Sequence, residues 1–270
     1  MSRLGIQKTL KMYVGGEFVR SESGRTLPIR SRSGEVMHVS RASRKDLRDT
    51  IEKMRAAQPG WWKRTAYNRG QILYRLAEIL EDRGDSLPTS TEDRLAAVDR
   101  AVHFAGWTDK ISALLSSLNP VGQAFVNYSM LGPVGLVVAV PHPKDGLLGM
   151  IEAIGAALAT GNSVTLFVDG ENAPLAIALS EALATSDVPA AIVNILTGDL
   201  AELLAAANLQ DDLDALYLVK GSLSAELRKA IDEKGAQVMR RILEVESTER
   251  PASPHQLAKL MEVKTVWMST

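Results

Sequence analysis

The chain has no cysteine among its 270 residues. That excludes disulfides and any zinc site built on thiolates. It also removes the side chain that combines strong nucleophilicity with partial ionisation near neutral pH. Histidine is scarce as well: His38, His103, His142 and His255 stand alone, with no pair at metal-ligand spacing. No charge dominates, since the formal net charge is −1. No basic excess marks a nucleic-acid surface, and no acidic tail marks a solvated extension. Long apolar runs are missing too. Gly, Asp, Glu or Lys interrupts each one well short of the roughly 18 residues needed to span a bilayer. The opening residues MSRLGIQKTLKMYVGG contain no continuous apolar core of leader length. These absences lead us to expect a cytoplasmic protein with neither nucleic acid nor membrane as a partner.

What remains is an ordinary globular composition, 46% hydrophobic and 23% charged, on a chain long enough for a sizeable core. Met12-Tyr13-Val14, the tight pair Gly15-Gly16 and Glu17-Phe18-Val19 read as a hairpin. Leu47, Ile51 and Met54 fall at helical spacing over 44–57, and Ile72, Leu73, Leu76, Ile79 and Leu80 do so over 66–82. A third helix is predicted over 92–115. Around the turn Asn119–Gln123, residues 116–118 and 124–130 form a candidate protruding hairpin. From residue 135 the texture changes to strand–helix alternation. Apolar runs at 135–140, 163–167, 191–195, 215–219 and 241–245 are separated by helices at 146–160, 173–186, 199–207 and 222–234. That alternation predicts an α/β fold, a doubly wound parallel sheet of about five strands. Residues 247–254 carry two prolines and read as a linker, followed by a short helical piece at 255–261 and an alternating strand at 263–268.

Several stretches, in order, resemble the aldehyde dehydrogenase superfamily. They are Tyr13–Val19, Ala56–Trp61, Arg69–Glu81, residues 135–140 with 155–162, Pro189–Gly198, and the ending Glu262–Trp267. The resemblance divides the chain. Residues 1–115 carry an N-terminal hairpin and helices, and 116–131 an oligomerisation hairpin. Residues 132–247 form a Rossmann-like dinucleotide-type domain. Residues 248–255 are a linker where the family has its catalytic domain, and 256–270 a C-terminal oligomerisation strand. A shortened, cysteine-free member is implied.

The family's functional positions are altered one by one. Lys144, within His142-Pro143-Lys144-Asp145-Gly146, stands where the family has an asparagine whose amide donates to an oxyanion. Both Lys144 and His142 read first as loop residues. Phe167 replaces a lysine that holds the adenosine ribose, and the loss of such a charged donor is worth about 1.5–3 kcal/mol. Glu171 can slip into the place of the ribose-binding glutamate. Gly221-Ser222 resembles the start of the phosphate-proximal turn, but Glu226 replaces its last glycine with bulk and negative charge. Ser222 reads first as a helix cap. Glu244 falls at the general-base position, where chance survival or a surface role outweighs catalysis. No catalytic residue is expected. Of the cofactor positions, Gly221, Ser222 and Glu171 are remnants. The expectation is no cofactor, with NAD(P) held weakly at best.

Both halves of the family's oligomerisation element are present: Phe125, Tyr128 and Met130 in the hairpin, and Val263, Thr265, Val266 and Trp267 in the last strand. A small β-ribbon exposes unpaired edges and needs a partner. The resulting expectation is a catalytically inactive subunit that supports or regulates an aldehyde dehydrogenase assembly. A full-length subunit is the expected partner, self-association an open possibility, and Trp267 should lie buried against a partner's β-strand or a self-made substitute. Two alternatives stand beside it: an NAD(P)-binding oxidoreductase or cofactor sensor, and a folded remnant without a partner.

Overall fold

The structure, a computed structural model, describes residues 9–30, 36–122 and 124–269. The chain begins with short strands β1 Thr9–Leu10, β2 Met12–Val14, β3 Glu17–Val19, β4 Thr26–Arg30 and β5 Val36–Ser40. Helices α1 Arg44–Trp62, α2 Ala66–Arg83, α3 Thr91–Trp107 and α4 Lys110–Leu115 follow. Then come β6 Ser117–Asn119 and β7 Phe125–Pro133. The alternating half runs β8 Leu136–Val140, α5 Gly146–Ala159, β9 Ser163–Asp169, α6 Ala173–Ala184, β10 Val193–Gly198, α7 Leu200–Asn208, β11 Ala215–Val219, α8 Ala225–Val238 and β12 Arg241–Val245. A one-turn helix α9 Pro254–Leu257 and strand β13 Met261–Ser269 complete the described chain.

The five apolar runs pair in parallel in the order β12-β11-β8-β9-β10, and the β2–β3 hairpin adds antiparallel to the β10 edge. Every residue of β8 and β11 is buried, as covering both faces of a parallel sheet requires. One face packs Val137, Ala139, Val164, Leu166 and Tyr217 against α2, α3, α5 and α6. The other packs Val138, Val140, Phe167, Leu196 and Leu216 against α1, α7 and α8. Each fully buried Leu, Ile or Val side chain adds about 1.5–3 kcal/mol. The doubly wound expectation holds, with two antiparallel strands beyond its five.

Several elements end differently from the sequence expectation, each for a tertiary reason. Helix α1 runs through Pro59 to Trp62 because Gln58 and Trp61 side chains donate to the carbonyls of Gly161 and Leu158, at 2.9 and 3.3 Å. The predicted helix over 92–115 breaks at Thr108, whose hydroxyl bonds back to the Ala105 carbonyl at 2.9 Å. Strand β10 starts two residues late because Ala191 takes a left-handed φ of 64°. The predicted helix over 222–234 begins at Ala225 instead, after a turn at Gly221 with φ 81°. Of the turn Asn119–Gln123, Gln123 lies outside the described residues. So do 31–35, 270 and residues 1–8, on which the leader expectation rests in part.

A separate antiparallel ribbon, β13-β7-β6, pairs β13 with β7 over nine residues, from Met261 opposite Pro133 to Ser269 opposite Phe125. No described helix is long and apolar enough to cross a membrane.

Candidate functional site

In an open parallel sheet, loops beyond the carboxyl ends of the strands gather where strand order reverses. Here that edge carries the loops after β8, β9 and β11, and the end of β12. The structure divides the expected site residues between two recesses. Lys144 and Glu171 line one cleft of about 590 Å³, together with Arg30, Thr89, Asp93 and Asn172. Gly221, Ser222 and Glu244 line another of about 30 Å³, with Leu223 and Arg228. The second has room for little more than a single water.

Lys144 is exposed in a 3-10 turn, Pro143–Asp145, and its backbone amide donates to His142 Nδ1 at 3.2 Å. The helix that follows does not leave its N-terminus open. The amides of Leu147 and Leu148 donate to the two carboxylate oxygens of Asp93, at 2.8 and 3.0 Å, and the Thr89 hydroxyl donates to the same group at 2.5 Å. Gly146 has φ 55°, and a Cβ there would lie 2.5 Å from Asp93 Oδ2. Asp93 therefore occupies the anion position that the α5 dipole creates. No sequence signal marked it, because its partners lie 54 and 55 residues further on.

The turn after β11 departs from the expected cap. Ser224 is the N-cap of α8, its side chain accepting from Leu227 N. Ser222 donates its amide to the Val219 carbonyl at 3.0 Å, while its buried hydroxyl has no hydrogen-bond partner. A Cβ placed on Gly221 would meet nothing within 4 Å. An unpartnered buried hydroxyl beside open space is what a phosphate oxygen or an ordered water satisfies. Glu226, in the first turn of α8, turns its carboxylate onto its own backbone amide and the Ser224 hydroxyl, and these hold it below its ordinary value. Glu244 is not free either: Arg228 Nη1 lies 2.7 Å from its Oε1, and Arg228 also pairs with Asp232 at 3.0 Å. Arg228 was not legible beforehand as the partner of Glu244, because α8 and β12 meet only in the folded chain. Phe167 is fully buried, packed in the apolar cluster that Leu200, Leu223 and Leu227 join from α7 and α8. At its present size the recess has no room for a phosphate group, and Ser222 is the expected cofactor residue that presents an unpartnered hydroxyl there. Phe167, where a charged donor was lost, does not line this recess.

The expected interface residues all lie on the ribbon. Val263, Thr265 and Trp267 share one face with Phe125, and the Phe125 and Trp267 rings sit edge to face at 6.1 Å between centroids. Tyr128, Met130 and Val266 lie on the opposite face. The outer edge of β13 is unpaired among the described residues. Trp267 is 62% exposed in the single chain, where β7 is the strand paired with β13 among the described residues.

The sequence matches the Aldehyde dehydrogenase family over residues 18–249. DhaS of Bacillus subtilis (strain 168) is 28% identical over 255 residues, covering 88% of this chain and 50% of that protein. An NAD+ complex of aldehyde dehydrogenase from Bacillus cereus superposes with a TM-score of 0.78 at 24% identity, covering 88% of this chain and 50% of the other. An E. coli NADP dependent enzyme superposes with a TM-score of 0.80 at 19% identity, covering 87% and 51%. The chain spans about half the length of these relatives. The family match, an NAD+ complex and an NADP dependent enzyme among the neighbours overturn the expectation of no cofactor, or of NAD(P) held weakly at best.

Proposed function

The chain belongs to the aldehyde dehydrogenase family, and from that premise we propose that it is an NAD(P)-binding subunit that does not oxidise aldehydes by itself and docks through its β-ribbon to a full-length family member. The observation that carries the first half is the absence of cysteine from all 270 residues. A bound nicotinamide dinucleotide supplies a hydride acceptor. The thiolate that would form the hydride-donating adduct is not among these side chains. Glu244, at the general-base position, is held by Arg228, and Lys144 stands exposed in its turn. Gly221 and Ser222 would take the phosphates with the Ser222 hydroxyl as donor, in a recess opened beyond its present volume of about 30 Å³. Glu171 stays in the separate cleft with Lys144.

Calorimetry with NAD and NADP tests the dinucleotide half, and absence of both heat and thermal shift at millimolar ligand overturns it. NAD(P)-dependent turnover of any aldehyde by the purified chain would sink the non-oxidising reading. Glu226→Gln removes a negative charge from the first turn of α8. It should tighten dinucleotide binding about two- to fivefold, the worth of one charge at a helix N-terminus.

Support for docking comes from the ribbon. Leu118, Phe125, Val263, Trp267 and Met268 are all exposed on it, and an unpaired apolar edge is a liability unless covered. Co-expression with a full-length aldehyde dehydrogenase from the same genome should yield a mixed complex by light scattering. Trp267→Ser should abolish that complex without lowering the melting temperature, since the ring is exposed. A monomer under every pairing would end this reading.

A further inference from the structure

Residues 246–260 connect β12 to β13 and run the length of the sheet. They leave β12 at its carboxyl end, after Val245. They reach the opposite end where the Val134 amide donates to the Leu260 carbonyl at 3.2 Å and Arg241 donates to the Met261 carbonyl. On the way, Ala252, Leu257 and Leu260 join the same apolar cluster as Ala215, Tyr217, Val219, Leu243 and Val245. This strap is part of the cover on that side of β11 and β12, with α5 beside it.

Its middle is fastened by charge. Arg100 on α3 and Glu152 on α5 form a salt bridge whose side chains are 7% and 1% exposed. The remaining capacity of the pair goes mostly to strap backbone. Arg100 Nη2 donates to the carbonyls of Thr248 at 2.9 Å and Glu249 at 3.4 Å. The Ala252 amide donates to Glu152 Oε1 at 2.9 Å, and the Tyr217 hydroxyl approaches the same oxygen at 3.5 Å. Ordinary strand or helix pairing would not need a buried ion pair. Such a pair gives up the hydration of both ions, which it recovers only if the cover lifts.

We infer that Arg100 and Glu152 are the latch of a hinged strap, residues 246–253, which opens as a unit while the parallel sheet stays folded and exposes the apolar surface beneath it. The latch grips backbone rather than side chains, so it holds the strap by position. Glu246 and Ser247, both exposed, form its near end, and Leu257 and Leu260 pin its far end in the core. This inference is independent of what the ribbon docks to and of whether a dinucleotide binds.

Native-state hydrogen exchange on the full chain tests it. In the unmodified protein the Ala252 amide should exchange faster than those of Val138 and Leu166 by a factor of about ten or more, as sub-global opening requires. Arg100→Lys keeps a positive charge beside Glu152 but loses the planar fork that reaches two carbonyls. It should raise Ala252 exchange a further tenfold or so, and exchange in β8 and β9 by no more than that factor, so that Ala252 stays the faster. Ala252 exchanging only together with β8 and β9 in the unmodified protein overturns the inference, whether or not the variant folds. So does an Arg100→Lys protein whose strap stays as protected as before.

Discussion

Gly155→Ala lowers the unfolding free energy by about 1–3 kcal/mol, the range for overpacking a filled core. The cause is a single contact. A Cβ at Gly155 would lie 2.1 Å from Phe104 Cδ2, and the Phe104 ring is fully buried where α3 crosses α5. Neither side can yield cheaply, because α5 is buried along its length between α3 and the sheet. The gain in helix propensity from Gly to Ala is about 1 kcal/mol at most and does not offset the clash. Phe104→Ala alone costs about 3–5 kcal/mol by leaving a cavity. In the double variant the new methyl enters that cavity, so the loss is smaller than the sum of the two singles. Chemical denaturation of all four proteins measures this coupling. Strict additivity would show that the helix crossing is looser than described.

Arg100→Met is expected to cost about 3–5 kcal/mol near neutral pH, since it leaves a carboxylate buried and uncompensated. Burial already pushes the Glu152 carboxyl above its ordinary value, against the opposing pull of Arg100 and of the Ala252 amide. Without Arg100 that upward push is unopposed by any nearby cation. A carboxyl whose folded value is raised is stable when protonated, so the deficit is present at high pH and shrinks as pH falls through the raised value. Melting curves should therefore show the gap between Arg100→Met and the unmodified protein narrowing as pH falls through the raised Glu152 value. A gap that is constant or widens towards acid would mean that Glu152 is not the group left stranded.

The parallel sheet was readable because its strands are continuous apolar runs bounded by turns, and those runs, Leu136–Val140 and Ala215–Val219 among them, are buried throughout. Local chemistry misled where tertiary contacts outweighed it. Pro59 looks like a helix end, yet Trp61 and Gln58 find acceptors about a hundred residues later. Ser222 looks like a cap, but Gly221 delays the helix and Ser224 caps it. The same limit applies to the site. Gly221, Ser222 and Glu244 could be aligned by motif. The Arg228 grip on Glu244 and the Asp93 cap on α5 depend on side chains meeting across the fold. The dinucleotide expectation failed for another reason. It counted the lost lysine at Phe167 and the added Glu226 position by position, against a family match over residues 18–249 and neighbours that include an NAD+ complex.

The β2–β3 hairpin is made early and docks late. Its partner β10 lies some 180 residues away, and the Gly15 amide donates to Asn194 Oδ1 at 2.9 Å across that separation. During synthesis this hairpin leaves the ribosome long before β10 exists to pair with it. It must wait, with Met12, Tyr13 and Val14 uncovered, until β10 is complete. Such non-local closure slows folding and lengthens the interval in which nascent chains can stick to one another. Yield from rapid overexpression should therefore depend on temperature and chaperone supply more steeply than the stability of the finished protein would suggest.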